Sequence, residues 1–386
     1  MQFDFNYYST PLVFGFVQAW IYTLLFWVRA WRHERLSDGL FGSLLAAFSF
    51  EIWEYMLGFG GVEILWNELE FFPRNFSLLL PPLAWFYLKS QFNSKFRFHR
   101  GDLVHAIPFA VYLAYHLLVF AQGSDFVEKW KETVHFPLGI DYVQTGLKFV
   151  LEGVYFFKAY RLYRQYQTWA PTQFSNIETV SFIWFRNFLV AFFAASITGW
   201  AMTLADLWLD LDFWHDWWDE LFNAGLIYYL CIAGYAQTQP HRLHFELAAG
   251  TEESPVSTLA SSGKAEKIAE NEIKDWRTQI ERLMTVEKPW LDPELTLSEL
   301  AHRLQTNPSV LSAVINRSFA KNFNDFVNEY RVEAVKLLLQ DPAASHLSLL
   351  GIGLECGFNS KSTFNRAFRK ATGAAPSEWG KDQAKP

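Results

Sequence analysis

The first 240 residues contain seven long apolar segments separated by short polar connections, and this pattern limits the possible fold more than any other feature. The segments are residues 11–30, 40–59, 71–88, 103–121, 142–162, 180–204 and 221–237. About 20 mostly apolar residues in a helix cross the hydrocarbon core of a bilayer. A large soluble helical core is disfavoured, because seven such helices would leave almost no polar face for water. The sequence predicts an all-α chain whose residues 1–240 form a seven-helix transmembrane bundle.

The composition changes after this region, which indicates that the rest of the chain is a separate part. Of the 17 tryptophans, 14 lie at or before Trp218. Charged residues make up 19% of the whole chain, against about 25% in typical soluble domains.

The two cysteines, Cys231 and Cys356, are too few for a framework of disulfides. A small secreted domain held together by disulfides is therefore excluded.

The basic residues of the connections lie on one side of the predicted bundle. The connections after the first, third and fifth segments carry ten Lys or Arg residues, whereas the opposite connections carry three and are rich in Asp and Glu. Cytoplasmic loops of membrane proteins carry such an excess of Lys and Arg. We therefore expect a multi-pass protein of the bacterial inner membrane, with its N-terminus outside and the chain after Gln237 in the cytoplasm.

Four ionisable residues inside the predicted spans form a candidate site. Glu51 and Glu54 lie three residues apart in the second span, and Lys148 and Glu152 lie four apart in the fifth. Either spacing places both side chains on one helix face. Charged groups inside a bilayer are costly and are often functional. A signal-binding pocket is one interpretation of these four residues, and structural ion pairing between the helices is the alternative.

No motif of an enzyme or of a cofactor site is found. The last span has no lysine for a retinal Schiff base, and residues 241–246, with two histidines, lack the HExxH spacing of a zinc site. A nucleophile elbow, a P-loop and a glycine-rich phosphate loop are also missing from the sequence. We expect a protein that is not an enzyme and that needs neither a cofactor nor a metal ion.

A linker and an amphipathic helix separate the predicted bundle from the last hundred residues. Residues 241–264 are mostly small, polar and aperiodic, and predict a flexible tether. Residues 265–288 predict a connecting helix. Its apolar face consists of Ile273, Trp276, Ile280 and Leu283. This face packs against the following domain or, through 265–285, against a second copy in a homodimer; the pattern covers less than two heptads, which favours the domain.

The next part of the chain predicts a helix-turn-helix unit followed by a longer helix. Residues 297–319 are expected to form two short helices with a tight turn at 305–307, and Ser298 is the expected N-cap of the first. Pro308 suits the first turn of the second helix, where an N–H has no helical partner. An amphipathic helix over 322–340 follows and ends before an Asp-Pro pair.

A second helix-turn-helix unit repeats this pattern near the C-terminus. Gly357 lies in its turn, where the backbone needs a positive φ that glycine adopts without strain. In the following helix, Phe364 and Phe368 share one face at i, i+4 spacing, which predicts that both are buried. The opposite face of this helix is polar and basic. A short last helix is expected to pack Trp379.

Three segments of this region carry a family resemblance. They are LAHRL with LSAVIN, then NEYRVEAVKLLL, then GFNSKSTFNRAFRKATGAAPSEW. Through them, residues 289–386 resemble the DNA-binding domain of the AraC/XylS family of transcription regulators. The resemblance covers about a quarter of the chain and none of the predicted spans. It implies that the two units, held by a rigid helix, read two successive major grooves of double-stranded DNA.

The resemblance also implies which side chains contact DNA. The base-reading candidates of the second unit are Lys361, Ser362, Thr363, Asn365 and Arg366. Arg366 is the strongest, because a guanidinium can donate two hydrogen bonds to one guanine. The equivalent positions of the first unit are Ser309, Ser312 and Ala313, with Arg317, Lys321 and Asn322 expected at phosphates. Ala313 stands where the family often has a larger polar side chain, which predicts weak readout by the first unit.

Together these features predict a membrane-bound, one-component transcription regulator. Its cytoplasmic domain would bind promoter DNA, and its bundle would sense an unknown ligand and reorient the helix at 265–285. In one alternative the bundle is only an anchor, and a partner protein supplies the signal. In another, the chain is a membrane receptor or transporter whose tail binds protein.

Overall fold

The computed structural model of the protein describes residues 2–93, 95–177, 182–209, 211–237, 270–344 and 346–383. Across these ranges the regular elements are helices, no strand is present, and β-type pairing is limited to isolated bridges such as the antiparallel one between Phe174 and Thr296. The prediction of an all-α chain is confirmed. The predicted tether at 241–264, which includes the segment with two histidines, lies outside the described residues.

The contacts within the chain divide it into two compact units. The first consists of residues 1–163 and 183–246, and the second of residues 164–182 and 247–386. The segment 164–182 lies inside the predicted membrane region of the sequence, yet it packs with the C-terminal residues.

The helices before residue 240 overlap all seven apolar segments. They are α1 (Ser9–His33), α2 (Leu36–Phe59), α3 (Leu80–Phe92), α4 (Ile107–Phe120), α5 (Ser124–Trp130), α6 (Ile140–Gln173), α7 (Phe182–Leu209) and α8 (Trp217–Ala236). Four helical stretches of the described residues are long and apolar enough to cross a membrane: Ser9–His33, Leu36–Phe59, Arg100–Phe120 and Ile183–Leu209. They agree with four of the seven expected spans, and the other three spans stay a prediction.

The third segment forms a shorter helix than predicted. The sequence predicted a membrane-spanning helix over 71–88, but α3 begins at Leu80 and has Pro81 and Pro82 in its first turn. Proline has no N–H to lose at that position, and its fixed φ suits a helix start. The two prolines therefore begin the helix, and the residues before them form turns, with a positive φ of 66° at Phe71.

Close contacts join α1 and α2. The guanidinium of Arg29 donates two hydrogen bonds to the Asp38 carboxylate, at 2.9 and 2.8 Å, and Asp38 is almost fully buried. The hydroxyl of Thr23 donates to the carbonyl of Gly42, 3.2 Å away. A Cβ at Gly42 would lie 2.8 Å from the Trp27 ring, so a larger residue here would require this ring to move.

The second compact unit, which contains both helix-turn-helix units, has two small hydrophobic cores that share one helix. Its helices are α9 (Glu270–Val286), α10 (Leu297–Arg303), α11 (Pro308–Phe319), α12 (Phe323–Gln340), α13 (Leu349–Glu355), α14 (Lys361–Thr372) and α15 (Pro376–Gln383). The first core joins α9 to α12, and the second joins α12 to α15. Phe326 and Val327 of α12 belong to the first core, and Val332 and Val335 to the second. α12 therefore holds both helix-turn-helix units, as the sequence predicted.

The apolar face of the connecting helix packs against its own domain. Ile280 and Leu283 of α9 are buried in the first core, and Trp276 packs at its edge. The indole N–H of Trp290 donates to the carbonyl of Met284 at 2.8 Å and fixes the end of the helix. Docking against the following domain, the favoured alternative, is thus observed, and it covers the face on which a homodimer through 265–285 would depend.

The first helix of the first unit begins at a different cap from the one expected. Thr296, and not Ser298, is the N-cap of α10. The Thr296 hydroxyl accepts from the N–H of Glu299 at 3.2 Å, and the Glu299 carboxylate accepts from the N–H of Thr296 at 2.8 Å. This reciprocal pair satisfies two N–H groups that a helix start leaves free, whereas Ser298 would satisfy at most one.

Candidate nucleic-acid interface

The second helix-turn-helix unit presents one polar helix face to solvent. On α14 the side chains of Lys361, Ser362, Asn365 and Arg366 are exposed. Phe364 and Phe368, at i, i+4 spacing on the opposite face, are buried in the second core, as predicted. The helix thus turns a row of hydrogen-bond donors and acceptors outward, and its aromatic side hinders rotation.

Backbone and side-chain contacts fix the start of α14. Gly357 has a φ of +84°, as the sequence predicted, and a Cβ there would lie 2.4 Å from the Trp290 carbonyl oxygen. Ser360 caps the helix, and its hydroxyl accepts from the N–H of Thr363 at 3.1 Å. Thr363 is buried and receives a further hydrogen bond from the Ser360 hydroxyl. Its side chain therefore supports the cap and does not share the exposed face.

The first unit exposes less polar surface on the equivalent helix. On α11, Ser309 and Ala313 are half-buried and Ser312 is buried. Arg317 is exposed near the end of the helix. Asn307 caps α11 by accepting from the N–H of Val310 at 2.8 Å.

Two residues expected at phosphates have partners within the protein. Lys321 forms an ion pair with Glu329. Asn322 is the N-cap of α12, and its carbonyl oxygen accepts from the N–H of Asp325 at 2.8 Å. Both side chains are half-buried. Both side chains thus stabilise the domain. To contact a phosphate, each would have to keep its partner at the same time or give it up.

Comparisons with known proteins agree with this geometry. A family model described as a helix-turn-helix domain matches residues 300–382. The arabinose operon regulatory protein of Escherichia coli is 22% identical over 185 residues, 43% of this chain and 60% of that protein. The msm operon regulatory protein of Streptococcus mutans is 25% identical over 136 residues, 35% of this chain and 44% of that protein.

A further relative is the melibiose operon regulatory protein of Escherichia coli, which is 28% identical over 90 residues, 23% of this chain and 29% of that protein. The C-terminal region is an AraC-type DNA-binding domain. The chain spans between 11% and 60% of the length of the first curated relatives it matches. These relatives are regulators and not enzymes, in agreement with the sequence prediction. No solved structure matches the chain.

A buried arginine lies at the centre of the AraC-type domain. Arg331 of α12 is 1% exposed. Its Nε donates to the Trp290 carbonyl at 2.8 Å, and its Nη2 donates to the Asp292 carbonyl at 2.7 Å. Burial lowers the pKa of Arg331 to about 10, and the nearby Asp292 opposes this shift. The guanidinium therefore depends on these carbonyl groups, which replace the water it has lost.

Arg331 is not among the residues predicted from the sequence, although the sequence pattern contains a signal for it. In the segment FVNEYRVEAVKLLL, Val327, Arg331 and Val335 follow one another at i, i+4 spacing, so the arginine lies in the apolar stripe of an amphipathic helix. A charged residue at such a position is almost never fully buried without partners. It therefore indicates a group of acceptors from other segments.

Outside the AraC-type domain, Glu51 interacts electrostatically with each of the other three candidate pocket residues. The Lys148 Nζ lies 3.8 Å from a Glu51 carboxylate oxygen, and Lys148 also interacts electrostatically with Glu152. Glu152 accepts a hydrogen bond from the indole of Trp200. Glu54 also forms an ion pair with Arg74, at 2.7 Å.

The same cluster contains residues that sequence reasoning missed. The buried carboxyl group of Glu220 interacts electrostatically with Asp219, Glu51 and Lys148. One carboxylate oxygen each of Glu51 and Glu220 is buried without a hydrogen-bond partner. Glu220 lies just before the last predicted span, in a connection rich in Asp and Glu, so only its burial in α8 places it in this cluster. Among the described residues, no group of His, Cys, Asp or Glu side chains is arranged to hold a metal ion.

Proposed function

We propose that the protein is a membrane-bound transcription regulator whose AraC-type domain binds double-stranded promoter DNA. One observation supports this most: the exposed row of Lys361, Ser362, Asn365 and Arg366 on α14, in a domain of the AraC type. Helices of this kind insert their exposed face into the major groove. In this proposal Arg366 reads a base pair, because its guanidinium is exposed and can donate two hydrogen bonds to guanine.

The first unit contributes mainly to affinity in this proposal. Its candidates Ser309 and Ala313 are short and half-buried, whereas Arg317 is exposed and can contact a phosphate. Lys321 and Asn322 remain candidate phosphate contacts. Ser312 and Thr363 are buried and would act by shaping the two reading helices.

The proposed membrane location rests on apolar side chains that face outward. Phe14 of α1, Leu118 of α4 and Val190 of α7 are each more than 60% exposed, and they belong to a larger set of exposed apolar residues on these helices. Soluble monomers rarely expose apolar patches this extensive. A bilayer would cover them. With the basic connections, this supports seven spans in a bacterial inner membrane, with the N-terminus outside and the AraC-type domain in the cytoplasm.

The bundle senses a signal in this proposal, and the cluster of Glu51, Lys148 and Glu152 is the candidate site. Its support is the pair of buried carboxylate oxygens, on Glu51 and Glu220, that have no hydrogen-bond partner. Buried acceptors of this kind favour a ligand with hydrogen-bond donors. The anchor-only alternative is favoured by the ion pair of Glu51 with Lys148, which joins α2 to α6, and by the ion pair of Glu54 with Arg74, which joins α2 to the segment before α3.

The DNA proposal is tested with the full-length chain in lipid nanodiscs. Duplexes are selected from a random library, and the affinity of the selected duplex is measured for the wild-type chain and for Arg366→Ala. Loss of a base contact of this kind costs about 1–3 kcal/mol and relaxes the preference at one base pair. The matched control is Arg282→Ala, which removes the same charge from an exposed position on α9, outside both reading helices.

Binding that is insensitive to salt would contradict the proposal, because Lys and Arg contacts to phosphates release counterions. Equal losses in Arg366→Ala and Arg282→Ala would contradict the assigned reading face. Selection of no duplex at all would favour the alternative of a receptor or transporter with a protein-binding tail.

Lys148→Met and Glu152→Gln separate sensing from anchoring. In a sensor, both variants reach the membrane at the wild-type level but no longer change expression of a reporter gene when growth conditions change. If both variants retain the full response, the bundle is only an anchor.

A further inference from the structure

The cytoplasmic end of α6 contacts the AraC-type domain through its backbone. α6 ends at Gln173, and the next residue, Phe174, forms an antiparallel bridge with Thr296. The N–H of Ser175 donates to the carbonyl of Leu295, 3.2 Å away. Ser175 is completely buried. We call residues 172–176 the docking segment.

Side chains of α12 complete this contact. The amide of Asn324 donates to the carbonyl of Ser175 at 2.7 Å and to that of Phe174 at 3.4 Å. The guanidinium of Arg331 donates to the Ser175 hydroxyl at 3.2 Å and reaches the Ser175 carbonyl at 3.5 Å. Asn324 and Arg331 are both buried. Donors of α12 thus bind the backbone carbonyl groups of Phe174 and Ser175 in the docking segment.

Arg331 connects this contact to the junction between the two helix-turn-helix units. Besides Ser175, its guanidinium binds the carbonyls of Trp290 and Asp292, as described above. The turn of the second unit packs on the same carbonyl, since Gly357 has no room for a Cβ beside the Trp290 oxygen. The Arg331 guanidinium also lies 5.8 Å from the centre of the Phe358 ring. One side chain of α12 therefore contacts the docking segment, the backbone at 290–292 and the turn of the second helix-turn-helix unit.

The helix that carries the docking segment also carries part of the candidate pocket. α6 is continuous from Ile140 to Gln173, and both Lys148 and Glu152 belong to it. As far as its last turn, which contains Pro171, each turn of α6 is hydrogen-bonded to the next, so the helix transmits a shift along its axis with little compression. A change at Lys148 thus has a covalent path to Ser175 that is regular up to this proline.

We infer that the docking segment is the contact through which the membrane region acts on the AraC-type domain. By binding Arg331 and Asn324, it holds the two helix-turn-helix units at one spacing, and movement of α6 releases that spacing. The sequence had suggested the helix at 265–285 as the coupling element. The inference rests on the proposed function, because it assumes that both units read DNA.

A cysteine pair tests whether the segment docks and what docking does. The full-length chain carries Phe174→Cys and Thr296→Cys and is placed in lipid nanodiscs. Opposite residues of an antiparallel bridge have Cα atoms about 4.5–5.5 Å apart, a separation that a disulfide can span. The natural cysteines, Cys231 and Cys356, are buried. We expect a high yield of the disulfide on mild oxidation, with the reduced form of the same chain as the control.

The functional readout is how much the affinity falls when the spacing changes between the two half-sites, the DNA segments bound by the two helix-turn-helix units. Binding is compared for the selected duplex and for a duplex with one base pair inserted between the two half-sites. We expect the wild-type and the oxidised chain to bind the altered duplex about tenfold more weakly, a typical size for coupling between sites.

Asn324→Asp is expected to abolish this discrimination. The variant replaces a donor with a carboxylate that faces two carbonyl oxygens, so the segment is repelled. Asn324 is the second residue of α12, where a negative charge suits the helix N-terminus, so the domain keeps its fold. The matched control is Asn328→Asp, which adds the same charge to the same helix but keeps the acceptor for Arg331. Oxidation of the cysteine pair in the Asn324→Asp chain should restore the discrimination.

Several results would overturn the inference. A cysteine pair that does not close would show that the segment does not dock. Retained tenfold discrimination in Asn324→Asp, or its loss in Asn328→Asp alone, would show that docking does not set the spacing. If the wild-type chain binds no selected duplex, the proposed function fails instead, and the yield of the disulfide still decides whether the segment docks.

Discussion

The two helix-turn-helix units have the same architecture but differ in what they expose. The second unit turns Lys361, Asn365 and Arg366 toward solvent from a helix anchored by two phenylalanines. The first unit has short, half-buried side chains, Ser309 and Ala313, at the equivalent positions. The same helix pair can therefore serve mainly for base recognition or mainly for placement, depending on a few side chains on one face.

The largest expected effect concerns the separate cores of the two units. Phe364→Ala should destabilise the second core by about 3–5 kcal/mol, because it leaves a cavity beside α12. Cys356 lies in this core, so the fraction of Cys356 that reacts with a thiol label reports how often the core opens. Burial raises the pKa of Cys356 to about 11, so the closed state should react slowly with thiol reagents at neutral pH.

Leu311→Ala in the first core is the counterpart. Cys356 should be labelled more slowly in Leu311→Ala than in Phe364→Ala. The loss in the free energy of unfolding is nevertheless of similar size, about 2–5 kcal/mol. Equal labelling in both variants would show that the two units open together, and the comparison between separate cores would fail.

The turns of the two units should respond in opposite directions. Gly357→Ala should destabilise the domain by about 1–3 kcal/mol, because alanine is strained at positive φ and its Cβ would collide with the Trp290 carbonyl. The turn of the first unit has Gln305 at a φ of 52°, so Gln305→Gly should be neutral or slightly stabilising. Thermal unfolding measures both, and destabilisation by Gln305→Gly would contradict the assigned turn geometry.

The next effect separates affinity from recognition. Arg317→Ala should weaken binding to all duplexes alike and reduce the slope of affinity against salt by about 1, as loss of a phosphate contact does. Arg366→Ala should change the preferred base as well. The measurement is a salt titration with the selected duplex and a shuffled one. A change of base preference in Arg317→Ala would assign direct readout to the first unit.

The smallest effect concerns the start of the first unit. Thr296→Ala removes the N-cap of α10 and should cost about 1 kcal/mol. Ser298→Ala, two residues later in the chain, should change the stability little, because the hydroxyl of Ser298 does not cap the helix. Denaturant unfolding of the two variants compares them directly. A larger loss in Ser298→Ala would restore the cap that the sequence had suggested.

Local rules predicted much of the AraC-type domain correctly. Pro308 begins α11, Gly357 has a positive φ, and Phe364 and Phe368 are buried, because each depends on backbone geometry or helical periodicity within a few residues. The cap of α10 was missed although the Thr-x-x-Glu pattern of Thr296 and Glu299 is local. The start of α3 was misplaced, since apolar composition alone does not tell a proline that kinks a helix from one that begins it.

The sequence by itself determined the helical class of the chain, the start of α11 at Pro308, the turn at Gly357, and the resemblance of its last hundred residues to an AraC-type domain. All of these depend on residues close to one another in the chain. Only the tertiary structure decided that Glu220 joins Glu51 and Lys148, and that Arg331 and Asn324 bind Ser175. These partners are about 70 to 170 residues apart in the sequence, and a side chain that needs a distant acceptor carries no local sign of which acceptor it will find.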